Sequence, residues 1–209
     1  MRASKREHGL RAAHPFGDVA ERGPHKIIGS LANQIWHSDG SFANPSCKYS
    51  FLSAAVLPDW GGETEYCDLR VAYESLPQHV KDEIRGLKAE HFFLNSRTLL
   101  GDTSYTEAQR QATPPVHWPV VRDHPSGRPT LFVGGHASHI VDWPVAEGRL
   151  LLWDLLEHAT DKDRVYRHDW KVGDLVIWDN RSTQHYAVQD YWPAVRRMER
   201  AGIVGDRPF

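Results

Sequence analysis

Two cysteines, Cys47 and Cys67, are all the thiol in this 209-residue chain. Two are too few for a disulfide framework, so both are read as reduced thiols of a cytoplasmic protein. Long apolar runs are missing as well. No stretch approaches the roughly 18 residues that cross a membrane, and the charged residues 1–6 are not followed by the apolar core of a secretory signal. Charge of one sign is not in excess: 25 Lys and Arg face 27 Asp and Glu, a net −2. That excludes the electrostatic footprint of a general nucleic-acid binder, and Arg196-Arg197 is too short a cluster to restore it. No glycine-rich loop follows an apolar strand, which disfavours dinucleotide and P-loop sites. What the chain does have in quantity is 13 His and eight Trp, and imidazole suits metal chemistry.

The pattern of elements is mainly β with inserted helices. Residues 1–29 read as an irregular lead-in, broken at His14-Pro15 and Arg22-Gly23-Pro24. The single folded domain is expected over 30–209. Strands are expected at 48–57, 63–67, 90–95, 116–122, 130–133, 164–170, 175–178 and 200–204. The 175–178 strand reads as buried throughout. Helices are expected at 69–75 behind an Asp68 cap, at 78–87, and at 144–158 with Leu150, Leu151, Leu155 and Leu156 as its buried stripe. Thr106 to Gln109 reads as a short helix. The remaining Trp residues, among them Trp60, Trp153 and Trp192, read as core or lid aromatics. Many short strands with Gly/Pro turns and a helical insert point to a β-sandwich or barrel with a helical cover.

The chemistry centres on Trp36-His37-Ser38-Asp39. Side chains alternate along an extended segment, so His37 and Asp39 share one face. His-x-Asp alone is a weak signal. His185 follows the 175–178 strand and can supply a third ligand. Two His and a carboxylate on one face of an octahedron leave the other face open, as in non-haem Fe(II) oxygenases. Zinc hydrolysis can use the same ligand types, so the three do not name the metal. Arg196 lies eleven positions after His185 (196 − 185), and its planar fork suits a carboxylate. With the Thr64 hydroxyl it would grip the far carboxylate of a 2-oxo acid whose other end chelates the metal. Arg200, four residues beyond Arg196, falls on the same strand face and is a candidate for a substrate carboxylate or sulfonate. Asn33, His136 and His139 are further candidates for substrate contact.

At these residues the chain resembles the taurine dioxygenase / 2,4-dichlorophenoxyacetate dioxygenase family of Fe(II)- and 2-oxoglutarate-dependent oxygenases. The carrying stretches are residues 31–39, Gly61-Gly62-Glu63-Thr64 and residues 178–186. The middle, with Tyr73, Leu94-Asn95-Ser96-Arg97 and residues 134–139, is most similar to the phenoxyacetate branch, and the tail to the taurine branch. The resemblance implies a double-stranded β-helix, or jelly roll. It implies Fe(II) on His37, Asp39 and His185, and 2-oxoglutarate on Arg196 and Thr64. With O2 as the other co-substrate, a small carboxylate such as an aryloxyalkanoate would be hydroxylated and succinate and CO2 released; a taurine, alkylsulfonate or alkyl-sulfate substrate is the alternative. No nucleic-acid or membrane partner is expected, and a homo-oligomer is. Only 36 residues precede His37, fewer than in family members. A barrel without its N-terminal outer strands is therefore an expectation, and with it a third reading, an inactive metal-binding remnant.

Overall fold

The longest described strand, β1 (Cys47–Val56), is rich in the aromatic and apolar residues that suit a half-covered sheet. The computed structural model describes residues 32–205; the lead-in expected over 1–29 lies outside them. Strand β1 is the centre of a three-stranded antiparallel sheet between β9 (Leu175–Asp179) and β11 (Arg197–Val204). Its register sets Ser50 opposite Trp178 and Gly202, Leu52 opposite Val176 and Arg200, and Ala54 opposite Met198. Because side chains alternate, these residues share one face. That face is the inner one, since Ser50, Ala54, Trp178 and Met198 are all buried. Phe51, Ile177 and Ala201 share the other face. The expectation that 175–178 is buried throughout is therefore corrected: Leu175 and Ile177 are 59% and 54% exposed. Strand β9 is an edge strand covered on one side, and only Trp178 of those four residues is buried.

A second sheet runs β10 (Thr183–Ala187), β2 (Thr64–Asp68), β8 (Val165–His168), again antiparallel. A third runs β4 (Val116–Pro119), β3 (Lys88–His91), β7 (Ala137–Ile140), and β5 (Val121–Asp123) pairs with β6 (Pro129–Leu131). The single strand expected at 116–122 is thus two. At Val120 the chain changes partners: its N–H bonds the Leu87 carbonyl and its carbonyl accepts from Phe132. The strand expected at 90–95 stops at His91, and α3 (Phe93–Leu99) begins at once.

Helix α1 (Leu69–Glu74) starts where Asp68 accepts the N–H groups of Arg70 and Val71. Helix α2 (Gln78–Ile84) follows Pro77, and α4 (Glu107–Ala112) is fixed by a Thr106/Gln109 capping box. The long helix α5 (Val145–Ala159) buries Gly148, Leu152, Leu155 and Ala159, so of the expected stripe Leu155 is buried and Leu151 packs on the core, while the centre of the buried face lies elsewhere. Leu150 points outward at 63% exposure. The small residues decide the face: a Cβ at Gly148 would sit 2.6 Å from the Ile140 backbone nitrogen, so the helix lies against β7 at that point. The main core joins Leu69, Ala72, Ile84, Val120, Leu131, Ile140, Leu152 and Leu155. Trp60, Trp153 and Trp192 lie largely at the surface, outside it.

Candidate metal centre

His37 and His185 are placed by the backbone before any side chain acts. The His37 N–H donates to the His185 carbonyl at 3.2 Å and the reverse bond measures 3.0 Å, a closed antiparallel bridge at the edge of β10. The two imidazole centroids stand 4.2 Å apart. Asp39, two residues on, brings Oδ1 to 3.5 Å from His37 Nε2 and 3.8 Å from His185 Nε2. One ligand atom from each of the three residues lies within 4.8 Å of the others, and all three side chains are buried. The Ile35 carbonyl is 2.6 Å from His37 Nδ1. A carbonyl can only accept, so Nδ1 carries a proton and is held outward, which leaves Nε2 as the nitrogen that faces the centre. The rings of Trp178 and Tyr66 hold the His185 imidazole at 4.7 and 6.2 Å.

Asp39 is set in a buried network. Ser50 Oγ donates to its Oδ2 at 2.5 Å, and its own N–H donates to Asn180 Oδ1 at 2.9 Å. Asn180 also accepts Trp178 Nε1 and donates to Ser50 Oγ. Burial alone would raise the Asp39 carboxyl. His185, the bond with His37 and the Arg200 guanidinium outweigh it and hold the group well below the usual carboxylate range. Burial, then the neighbouring His37, pushes His185 down to about 3. The site therefore offers a carboxylate and neutral imidazole, the forms that bind a metal. Arg200 Nη2 touches the same Oδ1 that faces both imidazoles. A cation is already drawn to the point where the donors meet, and a donor set of two nitrogens and one carboxylate fits Fe(II).

Arg196 lies just before β11, buried at 9% exposure, with Nη2 donating to Thr64 Oγ1 at 3.2 Å. Trp170 Nε1 donates to the same hydroxyl at 3.0 Å. Arg196 Nε has no hydrogen-bond partner among the described residues. A buried guanidinium left with an open donor is built to receive an acidic ligand. Gly62 makes room for it: at φ +77, a Cβ there would fall 2.9 Å from Arg196 Cδ.

The other candidates separate. Arg200 reaches the centre, as above. His136 is buried with its ring 5.9 Å from His37 and 4.7 Å from Phe42. Phe42 in turn lies 4.8 Å from Phe93, so an aromatic wall adjoins the ligands. His139 is not brought there: on β7 it pairs with Ser138 Oγ and lies 3.7 Å from Glu90. Asn33 sits half-buried in the short turn Ala32–Gln34 and makes no hydrogen bond among the described residues. Sequence reasoning missed Ser50, Asn180 and Arg122. Arg122 is buried on β5 and donates to the Asn180 and Arg181 carbonyls at 3.1 and 3.0 Å. The inward phase of Ser50 on β1 and the place of Asn180 in the 178–186 stretch carried a signal; Arg122 acts from β5, which only the fold brings to the turn after β9.

A profile of the family described as taurine catabolism dioxygenase TauD, TfdA family matches residues 5–201. The chain belongs to that family. It is 56% identical over 191 residues to the alpha-ketoglutarate-dependent 2,4-dichlorophenoxyacetate dioxygenase of Cupriavidus pinatubonensis, covering 91% of this chain and 67% of that one. It is 34% identical to the alpha-ketoglutarate-dependent sulfate ester dioxygenase of Pseudomonas putida, covering 96% of this chain and 70% of the relative. Among solved structures, AAD-2 in complex with Mn(II) and N-oxalylglycine superposes with a TM-score of 0.84 at 44% identity, over 87% of this chain and 66% of that one. The chain spans about two thirds of the length of the relatives it matches.

Proposed function

We propose that this chain is an Fe(II)- and 2-oxoglutarate-dependent dioxygenase that hydroxylates a small carboxylate, an aryloxyalkanoate of the 2,4-dichlorophenoxyacetate kind. The observation that carries this is the pairing of two features on adjoining strands, His185 on β10 and Thr64 on β2. Three metal-ligand atoms converge within 4.8 Å, and a buried Arg196 holds an open donor beside Thr64. In this reading His37, Asp39 and His185 hold the iron, and Arg196 and Thr64 hold the far carboxylate of 2-oxoglutarate. When bound, metal and 2-oxoglutarate together supply the oxidant, consuming O2 and releasing succinate and CO2. The protein's part is to orient the groups and keep water out. N-oxalylglycine has the two carboxylates and the carbonyl of 2-oxoglutarate, so the neighbour that binds it with Mn(II) supports the assignment.

Arg200 takes the substrate carboxylate, since its guanidinium already reaches the centre from β11. The Phe42, Phe93 and His136 wall takes the aryl ring, by stacking and edge contacts. That wall favours an aryl acid over an alkyl sulfate, the alternative that the sulfate ester relative represents. Asn33 lines the outer pocket in this proposal, and His139 acts only from behind through β7. The sheet centred on β1 and the one centred on β2 are read as the facing halves of a double-stranded β-helix that fills 30–209. The protein works in the cytoplasm, consistent with two free thiols, and as a homo-oligomer.

The test is anaerobic addition of 2-oxoglutarate to the Fe(II)-loaded protein, followed by succinate assay in air with a panel of acids. A visible charge-transfer band and succinate release coupled to aryloxyacetates are expected. No band with folded protein would sink the oxygenase reading. A band without turnover of any acid would favour a non-catalytic binding protein, and coupling to alkyl sulfates alone would replace the substrate class. Arg200→Ala should keep the band and lose coupled turnover.

A further inference from the structure

The far-carboxylate pocket contains a donor that none of the assignments above uses. Tyr66 lies on β2 two residues beyond Thr64, so both side chains stand on one face of the strand. Across β2 and β10 it is in register with His185. Its side chain is buried, and its hydroxyl has neither solvent nor a well-formed hydrogen bond among the described residues. The ring is clamped: it lies 6.2 Å from the His185 imidazole in a stacked arrangement and 5.4 Å from Trp178 at 61°. Held from both sides, the hydroxyl has a fixed direction.

Strand phase puts Tyr66 on the Thr64 side of β2 and register puts it beside His185, between the two ends of the site. The charges the hydroxyl feels are the Arg196 guanidinium and the Asp39 carboxylate. A phenol hydroxyl carries its proton at neutral pH and can donate. Thr64 Oγ1 already accepts two hydrogen bonds, from Trp170 Nε1 and Arg196 Nη2, so its own proton must also be directed at an acceptor elsewhere. Tyr66 OH and Arg196 Nε are two buried groups without a well-formed partner among the described residues, on either side of the Thr64 hydroxyl, and together they suit an anion.

We propose that Tyr66 is a co-substrate-binding residue, its hydroxyl donating to the far carboxylate of 2-oxoglutarate alongside Arg196 and Thr64. This rests on the dioxygenase reading above. A hydrogen bond to a charged acceptor in a buried site is the strong kind, and its loss should weaken binding about tenfold. A hydroxyl with no partner inside the protein contributes nothing to the fold without ligand, so removing it should leave the empty protein at least as stable.

The test compares the Fe(II)-loaded protein with its Tyr66→Phe variant, anaerobically, by titrating the visible charge-transfer band with two 2-oxo acids. One is 2-oxoglutarate; the other is 2-oxobutanoate, which lacks the far carboxylate. The expected result is an about tenfold rise in Kd for 2-oxoglutarate, an unchanged Kd for 2-oxobutanoate, and a ligand-free melting temperature equal to or above that of the parent. Equal affinity of the two proteins for 2-oxoglutarate overturns the assignment. So does an equal loss for both acids, which would put the hydroxyl at the metal end or in general packing. A variant that melts lower or does not fold overturns it too, because the hydroxyl would then belong to the fold. If the parent itself shows no band with 2-oxoglutarate, the dioxygenase reading has failed, not the placement of Tyr66 alone.

Discussion

Asn180→Ala should damage the protein twice, once as a fold and once as a metal site. The Asn180 side chain is 1% exposed and makes three strong contacts: Oδ1 accepts Asp39 N–H at 2.9 Å and Trp178 Nε1 at 3.0 Å, and Nδ2 donates to Ser50 Oγ at 2.9 Å. Two N–H donors facing one atom fix the amide orientation, because only an oxygen can accept both. Alanine orphans both donors in a buried site. At about 1–3 kcal/mol for each unsatisfied group, the cost is about 2–6 kcal/mol, a large share of the ~5–15 kcal/mol that holds a domain together. Ser50 loses its anchor while still bonded to Asp39 Oδ2, so the carboxylate is free to turn. A loss of about 10–100-fold in metal affinity is the usual consequence of removing such a support. Urea unfolding of the metal-free protein, followed by tryptophan fluorescence, gives the first quantity, and calorimetric titration with Mn(II) the second. A destabilisation below about 1 kcal/mol together with unchanged Mn(II) affinity would refute the reasoning, since the two donors would then have found water or another partner.

Three further outcomes follow from the same coordinates. Gly62→Ala puts a Cβ 2.9 Å from Arg196 Cδ at φ +77; it should cost ~1–2 kcal/mol in stability and weaken 2-oxoglutarate binding while leaving Mn(II) affinity intact, both read by calorimetry. His91 is fully buried with neither ring nitrogen paired among the described residues; burial first, then Arg122, depresses it to about 3. The unfolded chain takes up that proton near pH 6.5 and the folded one does not. Stability is therefore complete above about pH 6.5 and falls by up to ~1.4 kcal/mol per pH unit between there and about pH 3. His91→Leu should flatten that slope in urea unfolding at pH 7, 6 and 5. His139→Ala, which touches Ser138 and Glu90 away from the metal ligands, should change stability by no more than about 0.5 kcal/mol and leave coupled succinate release as in the parent.

What was legible in the sequence was local. The ligand atoms of His37 and Asp39 do come together, though only His37 pairs, in an isolated bridge, and Asp39 opens a turn instead of continuing a strand. The Asp68 cap, the Pro77 helix start and the strand around residue 50 rest on short-range rules, and their elements form within a residue or a few. The errors came where a neighbour decides. Strand 116–122 breaks at Val120 because its N–H bonds the Leu87 carbonyl while its carbonyl takes the Phe132 N–H. No strand is expected at 137–140, and one forms there because β3 pairs with it. Helix α5 shows a run of Leu whose buried face could not be read from periodicity; contact between Gly148 and Ile140 chose it. Leu175 and Ile177 are apolar enough for a core, yet only one side of their edge strand is covered.

The sequence by itself determined the chemistry available: imidazoles, carboxylates and guanidinium groups at spacings that strand geometry can turn to one face, and a family resemblance carried by three short stretches. Side-chain type and the two-residue repeat are properties of the chain, and no fold is needed to know them. The tertiary structure alone decided which of those groups meet. Arg196 reaches Thr64 across 132 positions, and Asn180 reaches Asp39 across 141. It also decided which donors are left without acceptors. An open hydrogen bond exists only once burial has removed water and every nearby partner has been placed. That is why Tyr66 is a plain strand tyrosine in the sequence and a clamped, unpaired donor in the fold.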